Sequence, residues 1–160
     1  MLIKKELYSK IGLFDPSYFI YCEDLDLGIR SWLCGYKVVI APKSKVYHKI
    51  NRKVINPNSL MRAFLIERNR IRTILKNYEF KNVLYLVPTY IIKKFLEIIK
   101  GSRKIKKIIF YFYTIFRSII WNVTNMRSLI KYRIFIQTSR RIDDRSLFKI
   151  IDNIKRWNLI

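Results

Sequence analysis

The chain has 160 residues, of which 51% are hydrophobic and 15% aromatic, and its 33 Lys and Arg against 11 Asp and Glu leave it at +22. Such apolar content excludes a disordered basic tail, and the length suits one domain able to bury about 70% of its unfolded surface. The excess charge is uneven: residues 1–80 carry +8 and residues 81–160 carry +14. Positive charge laid over apolar stretches points to an anionic surface, either membrane or nucleic acid. Cys22 and Cys34 show no CxxC spacing and predict neither a zinc site nor a disulfide framework. They read as small core residues. Lys4, Lys5 and Glu6 interrupt the first apolar run, so no signal peptide is expected and the chain is expected to face the cytoplasm.

In chain order, Leu2, Ile3, Leu7 and Ile11 predict a short helix over residues 2–12, stopped by Gly12. Phe14-Asp15-Pro16 reads as a turn, with Asp15 a turn or cap residue. An aromatic run from Phe19 to Cys22 then delivers Glu23, Asp24 and Asp26 to the start of a second helix. Leu25, Ile29, Trp32 and Leu33 give that helix its period, and Gly35 its stop. A helix N-terminus favours anions, and a charged base beside aromatic walls suits general base chemistry. The plain alternative is that Asp24 caps the helix while Glu23 and Asp26 are solvated first-turn acids. Arg30 is placed to pair with Asp26 across one turn, and secondarily to position the acids.

Lys37–Ile40 reads as a strand from its β-branched content, ended by Pro42, and Lys45–His48 as a second extended piece. A helix over residues 59–78 places Leu60, Phe64, Ile71 and Leu75 on one face. Its Arg68, Arg70 and Arg72 are candidates to meet phosphate, with a solvated basic face as the alternative.

The pieces LIKKELYSKIGLFDPSYFIYCEDLDLGIR, GYKVVIAP and KVYHK, with the looser Arg68-Asn69-Arg70, resemble the C-terminal half of the catalytic domain of family 2 glycosyltransferases, especially the rhamnosyltransferase-like enzymes of cell-surface polysaccharide assembly. The resemblance implies an α/β fold, the C-terminal part of a GT-A domain over residues 1–80, carrying the acceptor side of an inverting active site. It implies Asp24 as the base, Glu23 and Asp26 shaping its field or touching acceptor hydroxyls, Arg68 and Arg30 as substrate-binding or positioning groups, and His48 helping to hold a divalent metal, Mn2+ or Mg2+. Its partners would be a nucleotide-sugar donor and a glycan or polyprenyl-linked acceptor. The βαβ nucleotide-binding unit and the earlier acidic metal motif of such enzymes are not found in this sequence. The expectation is a fragment, or a chain whose N-terminal half is a separate polypeptide.

Residues 81–160 are expected to form a mainly helical, membrane-associating extension. No run reaches the eighteen uncharged apolar residues of a spanning helix. Lys100, Arg103, Lys104, Lys107, Tyr111, Thr114 and Ser118 recur every three or four positions, one narrow polar stripe on an otherwise apolar helix. That suits peripheral attachment at the cytoplasmic face of an anionic membrane, with a buried two-helix hairpin as the alternative. The tail adds Arg133, Arg140 and Arg141, then an Asp143-Asp144 cap and a last amphipathic helix with Leu147, Ile150, Ile151, Ile154 and Trp157 on one face. Two rival readings remain. One is a basic nucleic-acid-binding protein, disfavoured because no nucleic-acid motif is present; the other is a non-catalytic membrane-associated remnant.

Overall fold

A computed structural model describes residues 2–47, 59–101 and 105–157, with residues 107 and 153–157 described by backbone alone. Seven α-helices, one 3-10 turn (Pro16–Tyr18) and no strand occur among the described residues: α1 (Lys5–Ile11), α2 (Glu23–Leu33), α3 (Leu60–Asn77), α4 (Phe80–Gly101), α5 (Ile105–Thr124), α6 (Met126–Ser139) and α7 (Asp144–Trp157). The expected α/β fragment of a GT-A domain is therefore overturned. The described chain is an all-helical bundle. Lys37–Ile40 is extended, but Val39 and Ile40 are 80% and 89% exposed and no second strand among the described residues faces them. β-branched residues favour a strand only where a ladder partner and a face to bury exist, and here neither does.

The helix ends follow local chemistry. The Ser59 hydroxyl accepts from the Arg62 amide (3.1 Å) and starts α3. At the end of α2, Gly35 adopts φ 81°, which lets its amide reach the Trp32 carbonyl (2.9 Å) and the Tyr36 amide reach the Ser31 carbonyl (2.9 Å). Of the two aspartates expected to start α7, Asp143 does so, accepting from the Ser146 amide (2.9 Å). Asp144 instead crosses to the start of α4, accepting from the Glu79 amide (2.7 Å) and the Asn82 side chain (2.6 Å).

Helix α3 is the axis, with α2 and α4 packed on it and α5 and α6 against its other faces. Ile29, Leu33, Tyr78, Val83, Ile136 and Leu147 form the larger apolar cluster, joining α2, α4, α6 and α7. Leu7, Ile11, Leu27 and Cys34 form a smaller one under α1. Between α6 and α7 the chain docks on the end of α2, where the Arg141 and Ile142 amides both donate to the Leu33 carbonyl (2.7 and 3.2 Å).

Candidate functional site

The loop ahead of the acids of α2 is held from α3 by the Arg68-Asn69 pair. The Asn69 amide donates to the carbonyls of Tyr18 (3.0 Å), Ile20 (2.9 Å) and Tyr21 (2.7 Å). Arg68 donates to the Ser17 and Tyr18 carbonyls (2.9 and 2.8 Å) and lies over the Trp121 ring (4.2 Å). Burial, and then the nearby Arg72 charge, hold its pKa below the ordinary arginine value. Arg68 is thus occupied with the loop, inside the protein.

The loop so held is strained. Phe19, Tyr21 and Cys22 have φ of 62°, 71° and 63°, three left-handed non-glycine residues immediately before the carboxylates. Each costs of order 1–2 kcal/mol, and such strain concentrates at functional sites. Burial pushes the Cys22 thiol up against the pull of Arg70.

The three acids of the expected site go to different places. Asp26 is fully buried. One oxygen accepts from Arg30 (2.9 Å) and Lys76 (2.9 Å), the other from Tyr18 (3.2 Å) and Asn77 (2.8 Å). Arg30 makes the expected one-turn pair and also donates to the carbonyls of Ile11, Gly12 and Leu13, tying α1 to α2. Lys76 bridges Asp26 to the equally buried Asp15 (3.0 Å), which also meets Arg72 (3.4 Å) and caps its own turn through the Ser17 amide (3.0 Å) and hydroxyl (2.6 Å). Burial raises the Asp15 pKa, but Lys76, Ser17 and Arg72 outweigh it and hold the carboxyl below its usual range. With both oxygens saturated, Asp26 fastens α2 to α3.

Asp24 is exposed, its carboxylate touching only the Leu25 amide (2.7 Å) among the described hydrogen bonds. Glu23 is half-buried, and its Oε2 is buried without a hydrogen-bond partner among the described residues. These two acids remain available for chemistry. A groove of about 440 Å³ is lined by Leu25, the residue after Asp24, and by Gly28, Trp32, Arg70, Ile74 and Tyr90. Arg70 is the arginine of the three that lines it. Burial works against the Arg70 charge, but hydrogen bonding to Tyr90 and the charge of Glu67 raise its pKa. Tyr90 donates to Glu67, and burial together with that carboxylate holds its phenol far above the ordinary range.

The metal expectation rests on His48, which lies outside the described residues. Among the described residues no group of three His, Cys, Asp or Glu is placed to hold an ion. Asp26 is committed to its cations, and Glu23 and Asp24 alone are too few. The described side chains do not fit a metal.

Sequence reasoning missed Lys76 as the hub, because its partners lie 50 and 61 residues away in the chain. It also missed Asn69, although Arg68-Asn69-Arg70 had marked the place.

No family model and no solved structure match the chain. Among curated proteins, it is 38% identical over 48 residues to an N-acetylglucosaminyl-diphospho-decaprenol L-rhamnosyltransferase of Mycobacterium tuberculosis, covering 30% of this chain and 16% of that protein. It is 37% identical over 49 residues to a probable N-acetylgalactosaminyltransferase 8 of Caenorhabditis elegans, covering 30% and 12%. Against polypeptide N-acetylgalactosaminyltransferase 9 of Homo sapiens the figures are 38% over 48 residues, 29% and 8%. The chain thus spans a sixth or less of the length of these relatives, and over that stretch it is related to glycosyltransferases.

Proposed function

We propose that the chain contributes the acceptor side of an inverting glycosyltransferase, with Asp24 as general base. The observation that carries this reading is the separation of the acids. Asp26 is consumed by packing, while Asp24 stands exposed just after a strained loop, one residue before Leu25, which lines a groove together with Trp32 and Tyr90. Apolar and aromatic walls with a few polar groups suit the faces of a sugar ring. Asp24 takes the proton of an acceptor hydroxyl as that oxygen bonds to the anomeric carbon. The bond from that carbon to the donor's diphosphate breaks on the opposite face, and the nucleoside diphosphate leaves with the electron pair. A positioned base of this kind contributes roughly 10²–10⁴ in rate. Glu23 holds a further acceptor hydroxyl, and Arg70 orients the substrate from α3. Relatives that act on a decaprenol-linked sugar and on a polypeptide leave the acceptor to be chosen by the groove, and we favour a lipid-linked saccharide.

The test is transfer of labelled sugar from UDP-, GDP- or dTDP-sugars to endogenous lipid-linked acceptor, in membranes of the source cell. Cells carrying Asp24→Asn should lose transfer by roughly 10² or more. Transfer above about a tenth of normal would rule Asp24 out as the base.

A further inference from the structure

Helix α5 is amphipathic in the reverse of the usual sense. Of the polar stripe expected to face lipid headgroups, Thr114 and Ser118 turn inward against α3, while Lys100 is exposed and Arg103, Lys104 and the Lys107 side chain lie outside the described residues. Thr114, Ser118 and Asn122 are buried, with the Ser118 hydroxyl donating to the Phe64 carbonyl (3.2 Å) and the Asn122 amide to the Arg68 carbonyl (3.1 Å). The outward face is instead apolar for the length of the helix: Ile105, Ile109, Phe112, Phe116, Ile120 and Val123 follow one another at three- and four-residue spacing. All are exposed, Ile109 and Phe116 by 61% and 64%. On α4, Ile92, Leu96 and Ile99 form a second exposed row. The Phe95 and Phe112 rings stack at 4.3 Å, each within a turn of its own row, so the two rows meet. An apolar face this continuous is not left to water in an isolated soluble domain.

Charge indicates what covers it. From Ile98 to Ile142 the sequence has eleven Lys and Arg and no Asp or Glu. Lys93, Lys100, Lys106 and Arg117 are exposed on the two helices that carry the rows. A second copy of the chain would bring the same positive rim against this one. No helix among the described residues is long and apolar enough to cross a membrane. A helix with polar groups turned to its own protein, apolar groups outward and cations at the rim fits the headgroup boundary of an anionic bilayer. We infer that the exposed faces of α4 and α5 form a docking surface for anionic lipid, with α5 lying flat in the interface. This stands apart from the reading of Asp24.

The test is flotation of the full chain with vesicles of phosphatidylcholine alone and of phosphatidylcholine mixed with phosphatidylglycerol. The chain should float strongly with the anionic vesicles and weakly with the neutral ones. Changing Lys93, Lys100 and Lys106 to Gln should weaken binding about fivefold per charge removed. Combining Ile109→Ser, Phe116→Ser and Ile120→Ser should release the protein at high salt, with circular dichroism unchanged because all three are exposed. If the triple variant loses helicity, Phe116→Ser alone serves for the comparison. Failure of the wild type to float with anionic vesicles would overturn the inference. So would flotation that ignores the apolar substitutions, or a dimer in light scattering that those substitutions dissolve.

Discussion

Replacing Asp15 by Asn tests the buried charge cluster without changing its shape. Asn keeps the oxygen that accepts from the Ser17 amide and hydroxyl (3.0 and 2.6 Å), so the turn at Pro16 stays capped. It replaces the oxygen facing Lys76 (3.0 Å) and Arg72 (3.4 Å) by an amino group, setting a donor against two buried cations. Five charged groups then become four: Arg30, Arg72 and Lys76 are left with Asp26 alone. Breaking a buried pair from one side costs about 3–5 kcal/mol, a large part of the roughly 5–15 kcal/mol that holds a domain together. Urea unfolding followed by circular dichroism measures the loss. Because the Asp15 pKa is lowered in the native state from its ordinary 3.8, its contribution is complete above that value and fades as the pH falls through the lower native value. The variant should lose that part of the acid slope. Adding Lys76→Met should cost less than it does in the wild type, with a coupling above about 0.5 kcal/mol, because one of the two carboxylates that Lys76 bridges is already gone while its pair with Asp26 (2.9 Å) remains. A loss in Asp15→Asn below about 1 kcal/mol, the scale of an exposed ion pair, together with an unchanged acid slope, would refute the cluster.

Two related outcomes follow from the same contacts. Asn69→Ala removes the three donations that hold the Tyr18, Ile20 and Tyr21 carbonyls, and should cost about 1–3 kcal/mol; hydrogen exchange should show the lost protection around residues 18–26 rather than throughout α3. Asp26→Asn should destabilise by about 3–5 kcal/mol in urea, since Lys76 and Arg30 then face an amide instead of a carboxylate.

The sequence carried most of the local structure and little of the long-range structure. Apolar spacing and Gly35 marked α2, and the pattern from Leu60 to Leu75 marked α3, because both signals lie within a few residues of what they determine. Helix α6 was not marked: its apolar and basic residues, such as Leu129, Lys131, Arg133 and Ile136, define no clean face. The strand at Lys37–Ile40 failed for want of a partner, which no local pattern contains. Within the site, the sequence placed three acids at a helix start but did not sort them. Asp26 is set apart from Asp24 by burial and by Lys76 and Asn77, 50 and 51 residues on, which reach it from α3. The direction of the α5 stripe was likewise settled by α3, whose carbonyls at Phe64 and Arg68 take the hydrogen bonds of Ser118 and Asn122.

The central claim divides labour between neighbouring acids, Asp26 holding the fold and Asp24 doing the chemistry. Measuring sugar transfer and urea stability together on Asp24→Asn tests it most directly. The account predicts a variant whose stability stays within about 0.5 kcal/mol of the wild type, as for an exposed side chain, and whose transfer falls by roughly 10² or more. Transfer near the wild-type rate would contradict the account, as would a fall in transfer matched by a loss of stability like that expected for Asp26→Asn.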